Sequence, residues 1–154
     1  MQCALKEFCF DKKIDKIILE RFTKEIEMIE TLSHPNIVKY LNHTRKPTYL
    51  RLFMTRYEST LRQEIRVRES EVFQQICEPF SCREILFVLL NIARGLKYLH
   101  DNRILHRDLK TDNIFLNFGE HENISLAVIG DFDSAKRLVS TLHAKTIIGT
   151  TNYM

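Results

Sequence analysis

The stretch from Ser81 to His100 constrains the fold of this chain more than any other. Ile85, Val88, Leu89, Ile92, Leu96 and Leu99 recur there at helical spacing, for about four turns of one amphipathic helix. Ser81 and Glu84, three residues apart, form the pattern in which a hydroxyl caps the helix and a carboxylate reaches back. Two apolar runs follow, "NIFLN" and "ISLAVIGDF", on either side of the turn-like "FGEHEN", and they read as a β-hairpin. The polar cluster "HRDLKTDN", His106 to Asn113, is therefore a loop between a buried helix and a buried strand. Loops held by rigid neighbours are where reactive groups are positioned.

The first half alternates element types. "QCALKEF" is short, apolar and strand-like. Ile18, Phe22, Ile26 and Ile29, at spacings of four, four and three, predict a helix. Pro35 in "SHPN" ends it, because proline cannot continue a helix and biases His34 away from helical geometry. "NIVKYL" and "TYLRLFMTRY" predict two strands joined around Lys46 and Pro47.

Composition removes several function classes. With 154 residues and 44% hydrophobic content the chain can bury an ordinary core. Its 23 basic residues are interspersed with 20 acidic ones for a net charge of +3, which gives nucleic-acid binding or a membrane surface little support. No apolar run reaches the roughly 20 residues that span a bilayer, and Gln2 does not fit the N-myristoylation signal. Cys3, Cys9, Cys77 and Cys82 show no paired C-x-x-C spacing and follow no secretory segment, so they are expected to be reduced thiols of an intracellular, cytoplasmic protein, with the nucleus left open.

Within the cluster, Asp108 suits proton acceptance from a hydroxyl, Lys110 neutralisation of a transferring group, and Asn113 an oxygen for a hard cation. Singly, each is as well explained as a turn former or a solvated side chain. Together, and followed by the carboxylate of Asp131 in "GDFD", they suit a metal-assisted transfer.

These motifs resemble those of the eukaryotic protein kinase domain of the serine/threonine type. His106-Arg107-Asp108 with Asn113 is similar to the catalytic loop, and Asp131-Phe132 to the start of the activation segment. "CALK" resembles the strand that carries the phosphate-binding lysine, here Lys6, whose partner would be Glu25, 19 residues later. "GTTNYM" resembles the approach to the substrate-binding segment. The resemblance implies an α+β, two-lobed fold truncated at both ends. Residues 1–57 would be part of the small lobe and hinge, and residues 58–154 the first part of the large lobe with catalytic loop and activation segment.

By the same resemblance, ATP and Mg²⁺ are the cofactors and a protein the substrate, with the oligomeric state left open. Asp108, Lys110, Lys6 and Glu25 would carry catalysis, and Asn113 and Asp131 would bind the metal. Ala4, Lys6, Met54, Thr55, Arg56, Tyr57 and Phe115 would form the adenine and phosphate site: Ala4 over the base, Met54 as gatekeeper, residues 55–57 as hinge, Phe115 as floor. Tyr40, Ile29, Phe132 and His106 would stack between the lobes, and Thr146 would be a phosphorylation site paired with Arg107. Lys110 favours serine or threonine as acceptor.

Two departures stand out. Asp133 occupies the position of the family's glycine after Asp-Phe, adding a carboxylate near metal and phosphates; a tolerated substitution and an altered site are both open readings. No G-x-G-x-x-G loop precedes Lys6 and no Ala-Pro-Glu follows Met154, so the chain is expected to be a kinase-domain fragment. The alternative function is a pseudokinase or scaffold that binds nucleotide without turnover.

Overall fold

The structure is a computed structural model that describes residues 3–9, 23, 26–46, 48–74 and 80–137. Strands β1 (Cys3–Cys9), β2 (Tyr40–Lys46) and β3 (Tyr49–Thr55) form an antiparallel sheet in the order β1-β3-β2. Along β1 exposure alternates, which puts Ala4, Lys6 and Phe8 on the half-buried face. Leu50 and Leu52 of β3 bury the same sheet against Ile26 from α1, the helical residues 26–30. Residue 23 is also helical, whereas Ile18 and Phe22 lie outside the described residues.

The strand predicted over "NIVKYL" begins later, at Tyr40. Residues 36–38 instead run beside the second half of the molecule: Val38 N–H donates to the Ile129 carbonyl at 2.8 Å and Ile129 N–H to the Asn36 carbonyl at 2.9 Å. The Asn36 side chain is buried and donates to Asn91 Oδ1 at 2.5 Å and to the Ala127 carbonyl at 3.0 Å. Ser33 and His34 add a hydrogen bond and a ring stack on Tyr98.

After a short strand β4 (Ser59–Thr60), helix α2 (Leu61–Phe73) appears where no helix was predicted. It has little apolar periodicity to announce it. Arg68 ties it down, reaching Glu64 within the helix, Glu84 on the next helix and the Phe80 ring face at 4.2 Å. Helix α3 (Cys82–Asp101) starts as predicted, with Ser81 and Glu84 making both bonds of the capping box. Of the predicted stripe, Val88 and Leu99 are buried and Ile92 and Leu96 pack half-buried against the core, whereas Ile85 and Leu89 are exposed and Asn91 and Gly95 join the buried face. Asn91 is tolerated inside because its amide donates to the Phe87 carbonyl and accepts from Asn36. Gly95 permits the close approach, since a Cβ there would lie 2.7 Å from the Asn36 carbonyl oxygen.

Strand β5 (Ile104–Leu105) leads into the polar loop, and β6 (Ile114–Phe118) and β7 (Ile124–Ile129) form the predicted hairpin, ordered β4-β6-β7. Leu116, Ala127 and Ile129 are fully buried beneath α3. A two-residue strand β8 (Lys136–Arg137) pairs with β5 and brings the chain back beside the loop. The result is a mixed α+β arrangement with a cleft between the first sheet and the hairpin.

Candidate active site

The polar loop takes its shape from His106. Its ring is buried and sits edge-on to Phe132, with centroids 5.0 Å apart. Nδ1 accepts from the Asp108 N–H, which leaves the proton on Nε2 to donate to the Gly130 carbonyl at 2.9 Å. Burial lowers the pKa of this imidazole, so the neutral tautomer that the bonds require is the stable one. His106 therefore couples the loop to the segment that carries Asp131.

Asp108 receives Lys110 Nζ at 2.8 Å and Asn113 Nδ2 at 3.2 Å. The Asn113 amide also donates to the Asp108 carbonyl at 2.8 Å, which turns its oxygen the opposite way. Contact with Asp108 raises the Lys110 pKa, so the ammonium is retained. Asn113 sits on a 3-10 turn (Thr111–Asn113), and its backbone carbonyl accepts from Gly130 N–H. Asp131 follows directly, with the left-handed backbone φ of 61°, as does Arg107 at 64°. Such conformations in residues other than glycine cost energy and concentrate at functional sites. Arg107 Nε donates to the Ser134 carbonyl at 2.6 Å, binding loop and segment a second time.

A cleft of about 320 Å³ opens beside these groups. Of the residues predicted for nucleotide, Ala4, Lys6, Met54, Thr55, Tyr57 and Phe115 line it, together with the predicted metal ligands Asn113 and Asp131. Arg56 is not among the lining residues, and Leu5, Tyr40 and Asp112 line it without having been predicted. Ala4 and Met54 are register partners across β1 and β3. Tyr57 stacks almost parallel on Phe115, at 5.7 Å and 10°. Gly130 makes room for that floor, because a Cβ would lie 2.3 Å from the Phe115 ring. Tyr40, Ile29 and Phe132 join one apolar core, and the Tyr40 hydroxyl is within hydrogen-bond reach of the Phe132 backbone.

Lys6 has partners the sequence did not announce. Its ammonium bonds Asp131 Oδ1 at 2.5 Å and Asp133 Oδ2 at 2.7 Å. Burial pulls the Lys6 pKa down, but the two carboxylates outweigh it and the net shift is upward. Burial and the Asp131 charge push the Asp133 carboxyl above its ordinary range in spite of Lys6. Glu25, the expected partner of Lys6, lies outside the described residues, as do Thr146 and "GTTNYM".

The donor set suits Mg²⁺. Among the described residues no three His, Cys, Asp or Glu side chains converge into a self-sufficient metal site. Asp131 and Asn113 line one cleft with hard oxygens, as fits a cation that completes its shell with phosphate and water. Among the described residues no helix is long and apolar enough to cross a membrane.

Known proteins similar to this chain identify its family. The family model described as "Protein kinase domain" matches residues 1–154. The chain is 37% identical over 154 residues to the kinase and exchange factor for Rac B of Dictyostelium discoideum, covering 99% of this chain and 13% of that protein. It is 35% identical over 136 residues to the serine/threonine-protein kinase polo of Drosophila melanogaster, covering 88% and 21%. Human serine/threonine-protein kinase Nek5 is 33% identical over 154 residues, covering 99% and 20%. The chain thus spans about a fifth or less of the length of these relatives. With the family model matched throughout and the motif residues gathered around one cleft, the chain belongs to the protein kinase domain family.

Proposed function

We propose that this chain carries the nucleotide site and catalytic loop of an ATP-dependent kinase that phosphorylates serine or threonine hydroxyls of a protein substrate. The observation that supports this best is the pair of linked groups at one cleft: Asp131 bonded to Lys6 in its lining, and Asp108, outside the lining, bonded to Lys110 and to the lining residue Asn113. Residues 1–57 act as part of the small lobe and hinge, and residues 58–154 as the first part of the large lobe.

In this reading the adenine lies between Ala4 and Phe115, beside Met54, with the backbone of residues 55–57 along its edge. Lys6 holds the α- and β-phosphates, with Glu25, which lies outside the described residues, as its expected partner. Asp131 and Asn113 would hold Mg²⁺, which would offset charge on the phosphate oxygens when bound. Asp108 orients the substrate hydroxyl and accepts its proton as the oxygen bonds to the γ-phosphorus and the bond to the departing ADP oxygen breaks. Lys110, already at Asp108, steadies the transferring charge. It also supports serine or threonine as acceptor, in keeping with the names of polo and Nek5. An intracellular location is part of this reading and rests on the cysteine spacing.

The test is phosphate transfer from ATP to a serine- or threonine-bearing protein by the full-length protein, against its Asp108→Asn variant. Transfer that depends on Asp108 supports the proposal. A protein that binds nucleotide and transfers nothing is a pseudokinase, a reading favoured by one observation, the engagement of Lys6 by Asp133.

A further inference from the structure

Asp133 stands where the family pattern has glycine, and its carboxylate is engaged with the one lysine expected to grip phosphate. Two contacts on Lys6, at 2.5 Å from Asp131 and 2.7 Å from Asp133, set one positive charge between two negative ones. The group as a whole is anionic, and two of its members, Lys6 and Asp131, line a cleft expected to take a polyanion.

The placement of Asp133 follows from the backbone around it. Phe132 is fully buried against His106, and the left-handed turn at Asp131 precedes it. Ala135 N–H then closes a turn on the Phe132 carbonyl at 2.9 Å, and Arg107 holds the Ser134 carbonyl at 2.6 Å. With Phe132 anchored inward, Asp131 and Asp133 both face Lys6. Isolated surface pairs contribute little, but here anchored backbone brings two carboxylates to one ammonium, with the three side chains 29%, 33% and 45% exposed.

We propose that Asp133 makes nucleotide binding conditional on a divalent cation by holding Lys6 in the nucleotide-free protein. This rests on the nucleotide reading of the cleft. A metal-free polyphosphate would have to draw Lys6 away from two carboxylates and then sit beside both of them uncompensated. A nucleotide that arrives with its cation brings positive charge for the carboxylates and releases Lys6 to the phosphates. With glycine at this position, one of the two opposing carboxylates is absent. Asp133 is thus a selectivity residue for the metal-loaded form of the nucleotide.

The experiment titrates ADP into the full-length protein by calorimetry, once with Mg²⁺ and once with EDTA, for wild type, Asp133→Gly and Asp133→Asn. ADP is chosen so that the readout is binding and not turnover. Wild type is expected to bind ADP at least about tenfold more tightly with Mg²⁺ than with EDTA. Both variants are expected to narrow that ratio to within about threefold by gaining affinity in EDTA, because each removes the charge. Asp133→Asn preserves size and backbone preference, so its result stands if the glycine variant does not fold. An unchanged ratio in the variants overturns the gate while leaving the nucleotide site intact. Absence of ADP binding by wild type in both conditions overturns the nucleotide reading and the gate with it.

Discussion

Asn36 and Asn91, 55 residues apart in sequence, meet side chain to side chain inside the protein, Nδ2 of the first donating to Oδ1 of the second at 2.5 Å. Asn36 also serves Ala127, so one amide joins the segment after α1 to both α3 and β7. Asn36→Ala removes both donors and leaves buried acceptors unpaired. A loss of about 2–6 kcal/mol is expected, from about 1–3 kcal/mol for each of the two acceptors. Urea unfolding of the domain measures it; a change below about 0.5 kcal/mol, the usual scale of a neutral surface substitution, would show the pair to be incidental.

Gly130 and Phe115 set the depth of the cleft. Gly130→Ala places a methyl 2.3 Å from the Phe115 ring, which must rise toward the nucleotide or force the strands apart. A stability loss of about 1–3 kcal/mol is expected from overpacking, with weaker ADP binding. Phe115→Leu in the same protein should restore much of both. Failure of the second substitution to rescue the first would place the strain elsewhere.

Asp108→Asn should leave ADP affinity within about threefold, because Asp108 is not among the cleft-lining residues, while phosphate transfer falls by about 10²–10⁴ as for loss of a general base. Parallel calorimetry and radiolabel transfer separate the two effects. Equal loss of binding and turnover would make Asp108 a structural residue.

The start of α3 should be acid-sensitive. Burial works against ionised Glu84, but Arg68 and the Ser81 cap outweigh it and hold its pKa below the ordinary glutamate value of 4.5. The stability this contributes is present above pH 4.5 and is lost as pH falls through the lower folded value. Glu84→Gln should flatten the dependence of unfolding free energy on pH in that acid window. Ser81→Ala should cost about 1 kcal/mol at neutral pH. An identical acid slope in wild type and Glu84→Gln would assign the titration to other groups.

Features written in local pattern were legible from sequence: the capping box at Ser81, the hairpin and the polar loop each depend on residues a few positions apart. Helix α2 was not, because "LRQEIRVRESEVF" is held by the ion pairs and ring contact of Arg68 and not by an apolar stripe. Asn91 interrupts the apolar run for any local reading, and only its distant partner Asn36 explains its burial. The same holds at the site. Family pattern directed Lys6 toward Glu25, whereas Asp133, 127 residues away, gains its contact from the turn that follows Phe132.

The near-collision at Gly95 has a mechanical meaning. Because only a hydrogen fits between α3 and the Asn36 carbonyl, the two segments touch main chain to main chain, with the Ile129 side chain packed beside the contact. Residues 36–38 are fastened to Ile129 as well, so this stretch belongs mechanically to the second half of the molecule although it directly precedes β2. A force applied to residues 36–38 is therefore passed straight to α3 and β7 and not absorbed in the connection to β2.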